Sequence, residues 1–190
     1  MFNTYVINLE KDKKKLKIIK EKYKDVGINL IRFNAVYGKY VKDDYDNYLT
    51  NRCKYTCPNS VIGCGLSHIL LSEYLYNNDN NDYTLVVEDD SFPKIKNFKN
   101  KINNIVNKAP KDWEYIMLYC QGMCNSKKQF DDDMFFRGST AAYLINKKGQ
   151  KKLKDLKLKD HIDLQIYNNS DIKEYKFNKN LFYTDESVSY

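Results

Sequence analysis

The sequence has no apolar run approaching the roughly 20 residues that a helix needs to cross a bilayer, and charged residues appear before any signal-like hydrophobic stretch. A soluble chain in the cytoplasm, with no transmembrane segment, is therefore expected. There is no G-x-x-x-x-G-K-[ST] phosphate loop, which excludes a P-loop ATPase. Arginine is scarce: Arg32, Arg52 and Arg137 are the three among 32 basic residues. Because arginine makes the bidentate base and phosphate contacts of sequence readers, the net charge of +7 reads mainly as a lysine-rich solvated surface. No nucleic-acid partner is expected, while attraction for a diphosphate or another acidic ligand stays open. Internal repeats, low-complexity linkers and composition shifts are missing too, so residues 1–190 are expected to form a single domain with its own core.

Five cysteines are an odd number in a chain without a secretory signal, so free thiols are expected rather than a disulfide framework. Cys53, Cys57, Cys120 and Cys124 form two C-x3-C pairs at zinc-ligand spacing, but knuckle glycines are lacking. Burial as small apolar side chains is the favoured alternative.

What is present is an alternation of strands and helices. TYVINL (4–9) reads as a buried strand, and Leu16, Ile19, Tyr23 and Val26 then recur at helical spacing up to Gly27. INLIRFNAV (28–36) is a second strand, followed by a polar, tyrosine-rich segment, 37–59, without periodicity and read as a long loop. Ser60 is the expected N-cap of a helix over 61–77 that ends in NNDNND. After a third strand, Pro93 suits the first turn of a helix that buries Phe98, Ile102, Ile105 and Val106. EYIMLYC and STAAYLI are further strands, the stretch between them (121–134) a solvated loop, and NKKGQKKLKDL a short helix. This order predicts an α/β fold with a mostly parallel sheet flanked by helices, which receives ligands beyond the carboxyl ends of its strands.

The third strand, YTLVVEDDSF (83–92), runs into three carboxylates at such an end. Continued alternation would point Glu88 and Asp90 to one side and Asp89 to the other. Such a pair suits a hard cation that keeps water and phosphate oxygens in its shell. The competing reading is a helix cap at Asp90 or Ser91, with the other acids exposed. A response-regulator receiver domain fits poorly, because it leaves the first 84 residues unexplained.

Five blocks in register resemble glycosyltransferase family 25, which includes transferases of lipopolysaccharide biosynthesis and of collagen glycosylation. YVINLEKDKKK is similar to its opening strand and basic helix start, RFNAVYG to its second strand, and IGCGLSH to its G-C-x-x-S-H block. TLVVEDDSF is similar to its metal-binding strand, and STAAYLINKKGQKKL with HIDLQI to its C-terminal motifs. Lysines replace the usual arginines of the opening helix, and Leu70 and Leu71 replace an aromatic residue after Ser67-His68.

The resemblance implies a Rossmann-like GT-A domain that moves a hexose, galactose or glucose, from a UDP-sugar to an acceptor hydroxyl with inversion. It implies Glu88 and Asp90 as ligands of Mn2+ (or Mg2+), with Asp89 near ribose, a helix N-terminus or a lysine. Asn8, Ala35 and Val36 would wall the uridine, although each also simply ends a strand. Ser67 and His68 would approach the donor; a histidine on such an apolar helix is otherwise a hydrogen-bonded core residue. Asp163 would be the catalytic base and Asp160 its backup, with His161 beside them; a capping acid is the alternative. The implied partners are the nucleotide-sugar donor and a glycan or hydroxylated-protein acceptor. A non-catalytic sugar- or partner-binding domain of the same fold is the rival, and a basic nucleic-acid binder a weaker one.

Overall fold

In the computed structural model, residues 2–41, 43–121, 127–132 and 138–185 are described. Chain order gives β1 (Asn3–Asn8), α1 (Lys13–Lys24), β2 (Leu30–Asn34), α2 (Asn51–Thr56), α3 (Asn59–Asn78), β3 (Tyr83–Glu88), β4 (Ser91–Pro93) and α4 (Phe98–Lys108). Then follow β5 (Tyr115–Met117), β6 (Phe130–Asp131), β7 (Ala142–Asn146), α5 (Lys147–Lys154), α6 (Ile162–Asn169), β8 (Glu174–Phe177) and β9 (Phe182–Thr184).

Seven strands form one sheet in the order β2-β1-β3-β7-β5-β8-β6, and β4 pairs with β9 in a small second one. β1 pairs parallel with β2 and β3, and β5 with β8, whereas β7 runs antiparallel between β3 and β5. Most strands thus run the same way, as the alternation predicts, with β7 reversed near the centre of the sheet and β6 reversed at its edge.

Both faces are covered, which explains the near-continuous apolar runs of the central strands. Tyr5, Val86, Tyr115, Met117, Tyr143 and Ile145 pack with Leu66, Ile69 and Leu75 of α3, Leu153 of α5 and Ile166 of α6. The alternate residues Val6, Leu85, Val87, Ile116 and Leu144 pack with Ile19 and Tyr23 of α1 and with Phe98, Ile102 and Ile105 of α4. Val106, expected in that core, is only partly buried.

Several local expectations are corrected. The segment 37–59 holds 3-10 turns at Gly38–Tyr40 and Asp43–Tyr48 as well as α2, elements too short to imprint a period on the sequence. Thr50 caps α2 by accepting from Cys53 N at 3.3 Å. The N-cap of α3 is Pro58, not Ser60, and its helical residues begin at Asn59. Pro93 ends the short strand β4, where its missing N–H is tolerated, and α4 starts only at Phe98.

The expectation of free thiols also fails. Cys53 and Cys57 form a disulfide across the end of α2, where four-residue spacing brings them one turn apart with Cα atoms at 4.7 Å. Cys120 is disulfide-bonded as well, so Cys53, Cys57 and Cys120 are not free to serve a four-thiolate zinc site. Cys124 lies outside the described residues, and Cys64 is the free cysteine among those described.

Candidate functional site

The parallel strands β1, β2 and β3 end side by side at Asn8, Asn34 and Glu88. A cavity of about 550 Å3 opens beyond these ends, closed on its far side by the first half of α3. Its shape depends on close backbone approach. A Cβ on Gly63 would sit 2.8 Å from both Gly38 N and Val36 O, so only glycine lets α3 meet the segment after β2. Ser67 Oγ then fastens that segment, accepting from Val36 N at 2.8 Å while donating to Gly63 O at 2.6 Å. Ala35 N donates to Asn8 O at 3.1 Å.

Asn8 is a junction. Its Nδ2 donates to Asp89 Oδ2 at 2.7 Å, and its Oδ1 accepts from Arg32 Nε at 3.1 Å. Lys15, from the first turn of α1, reaches to 3.7 Å from Asp89 Oδ1 and also lines the cavity. Burial raises the Asp89 carboxyl above its ordinary range, with Asn8 and Lys15 pulling the other way.

Glu88 closes the floor through a buried polar chain. Its Oε1 accepts from Thr140 Oγ1 at 2.7 Å and lies 3.3 Å from His68 Nε2. His68 Nδ1 is 2.9 Å from the Tyr143 hydroxyl, and the Tyr143 ring stacks on Tyr115 with centroids 4.4 Å apart. Burial pushes the Glu88 carboxyl up, but the hydrogen bond and charge of His68 and the Thr140 hydroxyl outweigh it and hold Glu88 below the usual range. Cys64, one helical turn before His68, is open to the cavity yet ringed by protein, and burial with Glu88 nearby raises its thiol.

Glu88 and Asp90 do not share a strand face, because β3 ends at Glu88 and residues 89–90 form a turn into β4. Glu88 and Asp89 line the cavity; Asp90 does not. Asp90 Oδ1 is instead buried without a hydrogen-bond partner among the described residues. Burial, then Glu88 and Asp89, push its carboxyl up to about 6.

A second cavity of about 170 Å3 adjoins the first and shares Cys64 and Glu88 with it. Thr140, His161 and Asp163 also line it. Asp163 lies in the first turn of α6, where its Oδ1 accepts from Leu164 N at 2.8 Å. Its expected apolar setting is one-sided, since Ile162 is buried and Leu164 exposed. Asp160 is exposed, and its Oδ1 accepts from His161 N.

The structure therefore gathers Asn8, Ala35, Val36, Ser67, His68, Glu88 and Asp89 around one cavity, places Asp163 at its neighbour, and leaves Asp90 outside both linings. Sequence reading missed Cys64, Thr140 and Lys15 as lining residues. The signal for Cys64 was its position four residues before His68 on one helix; those for Thr140 and Lys15 required knowing which strands are neighbours.

Comparisons with known proteins identify the family and the fold. The family model for glycosyltransferase family 25 (LPS biosynthesis protein) matches residues 1–171. No curated protein sequence matches the chain significantly. Among solved structures, a glycosyltransferase involved in the glycosylation of the major capsid of PBCV-1 is 9% identical with a TM-score of 0.54, covering 93% of this chain and 81% of that one. The A197 protein from STIV is 11% identical at 0.51, with 97% and 86% covered. An active-site mutant of LgtC is 11% identical at 0.50, with 92% and 72% covered. At such identities the likeness shows the fold, which is GT-A-like.

Proposed function

Because the chain belongs to glycosyltransferase family 25, we propose that it transfers a hexose, galactose or glucose, from a UDP-sugar to an acceptor hydroxyl with inversion. The carrying observation is that one carboxylate, Glu88, lines both the large cavity at the strand ends and the smaller cavity beside Asp163. Donor and acceptor bound in these two spaces would meet at Glu88.

Asn8, Ala35 and Val36 form the wall for the nucleoside, and Lys15 supplies positive charge for the diphosphate. Ser67 keeps that wall in place through Val36, and His68 holds Glu88 at the floor. Glu88 and Asp90 are the residues proposed to hold Mn2+ or Mg2+: Glu88 lines the cavity, and Asp90, which lies outside its lining, carries a buried Oδ1 without a partner among the described residues and would reach the ion by a shift of the turn at residues 89–90. Asp89 is a weaker candidate, since Asn8 and Lys15 already engage its two oxygens. When bound, such an ion neutralises the negative charge that develops on a departing diphosphate.

Asp163 takes the proton of the acceptor hydroxyl as that oxygen attacks the anomeric carbon opposite the leaving diphosphate. His161, lining the same cavity, orients the acceptor. The acceptor is a glycan or a hydroxylated protein, and the cytoplasm is the proposed site of action.

The test is UDP binding by calorimetry with and without Mn2+, followed by UDP release from a panel of UDP-sugars. Asp90→Ala should abolish the Mn2+-dependent part of binding, and Asp163→Asn should spare binding while lowering turnover by about 100-fold or more. Absence of Mn2+-dependent UDP binding to the unaltered chain overturns the reading. Intact binding without release from any sugar would instead favour a binding domain of the same fold.

A further inference from the structure

Cys64 and His68 lie four residues apart on α3, which places both side chains on one helix face, one turn apart. That face looks at Glu88 at the end of β3. The thiol sulfur, a ring nitrogen of His68 and a carboxylate oxygen of Glu88 all lie within 4.8 Å of one another. Ligand atoms around a tetrahedral zinc ion are roughly 3–4 Å apart, so adjustments of about 1 Å would close the set. We propose that Cys64, His68 and Glu88 form a three-ligand site for a thiophilic divalent cation, Zn2+ foremost, whose fourth position opens onto the two cavities.

Donor chemistry selects the ion. Sulfur, imidazole nitrogen and a single carboxylate oxygen suit Zn2+ and Co2+, whereas Mg2+ and Mn2+ prefer oxygen. The site is therefore distinct in kind from an oxygen site for a diphosphate-bound ion, although Glu88 belongs to both.

The surroundings are those of a prepared ligand set. His68 engages the Tyr143 hydroxyl through Nδ1, which leaves Nε2 turned to Glu88. Glu88 is itself fixed by Thr140. Partners of this kind orient metal ligands and are worth about 10–100-fold in affinity. Tyr143 is fully buried and stacked on Tyr115, so the histidine has little freedom to swing away.

Charge also balances. Without an ion, a Cys64 thiolate beside the Glu88 carboxylate would be two negative charges in a confined space. A divalent cation takes up the thiol proton's place and neutralises both, the proton leaving to solvent. Occupancy by Zn2+ would commit Glu88 and stand where the two cavities meet, so the ion would compete with Mn2+-dependent nucleotide binding.

Co2+ added to the native, non-reduced chain serves as the probe, because reductant would expose the thiols of Cys53 and Cys57. The expected result is one equivalent of bound Co2+ with a thiolate-to-cobalt charge-transfer band in the near ultraviolet, displaced by Zn2+ and unaffected by Mg2+. Cys64→Ser should remove the band. Tyr143→Phe, which keeps the ring and all three ligands, should weaken Co2+ binding about 10-fold. On the unaltered chain, Zn2+ should slow alkylation of Cys64, read by mass spectrometry, and thus gives an answer even if the Cys64 variant fails to fold. A band that survives Cys64→Ser, no band on the native chain, or alkylation indifferent to Zn2+ would each overturn the proposal.

Discussion

Among the described carboxylates, Glu174 sits in an environment that works strongly against its charge. It opens β8, and although part of the side chain reaches solvent, its Oε2 is shut away without a partner among the described residues. Burial, with a smaller contribution from Asp163, pushes its carboxyl up to about 8. A carboxyl that binds its proton more tightly in the folded chain contributes its full stabilisation below the ordinary value near 4.5, and loses it as pH rises toward 8. Urea unfolding at pH 5 and pH 8 should therefore show a drop on the order of 2–4 kcal/mol from this group alone. Glu174→Gln should flatten that drop while leaving stability at pH 5 nearly unchanged. An equal pH slope in the variant would mean that the carboxyl is solvated and ionised in the folded state.

Among the elements, α3 does the most for the site, and its sequence shows what can be read in advance. Its apolar positions announced a helix, and Gly63, Ser67 and His68 lay in a recognisable block, but the task of each residue was hidden. Gly63 is small because Gly38 and Val36 press against it, a fact set by β2 and the turn after it rather than by the helix. The strand-end acids show the reverse. Alternation paired Glu88 with Asp90, but β3 stops at Glu88, and the turn that follows is fixed by the pairing of β4 with β9 about 90 residues further along the chain. The disulfide of α2 was illegible for a similar reason, since the segment 37–59 forms turns and a short helix too brief to leave a pattern. Gly63→Ala tests the helix's docking directly. The added methyl meets backbone atoms, not a flexible side chain, so the segment 36–38 must shift. We expect a loss of about 2–4 kcal/mol in urea unfolding, together with weaker UDP binding. Gly27→Ala is a useful contrast: it has open space but a left-handed backbone with φ of 75°, so it should cost only about 1 kcal/mol and spare UDP binding.

For the whole molecule, the sheet order divides the labour. β2, β1 and β3 are parallel neighbours whose ends form the floor of the large cavity, while β7, β5, β8 and β6 continue the sheet away from it. Both halves are clamped by helices on each face, so a ligand held at the first half has no need to rearrange the second. Hydrogen exchange separates the two. With UDP and Mn2+ present, added amide protection should concentrate at residues 8–12, 35–39, 63–68 and 88–89, the segments that line the cavity. Val36 N is a sensitive reporter, because its partner is the Ser67 hydroxyl and local opening must break that bond. The amides of β8 and β6 should exchange at the same rate with or without nucleotide. Protection appearing first at β8 and β6 would place the nucleotide at the opposite end of the sheet, away from Glu88 and Asp89. Protection spread evenly over both halves would mean that binding tightens the whole sheet rather than occupying the cavity at its strand ends.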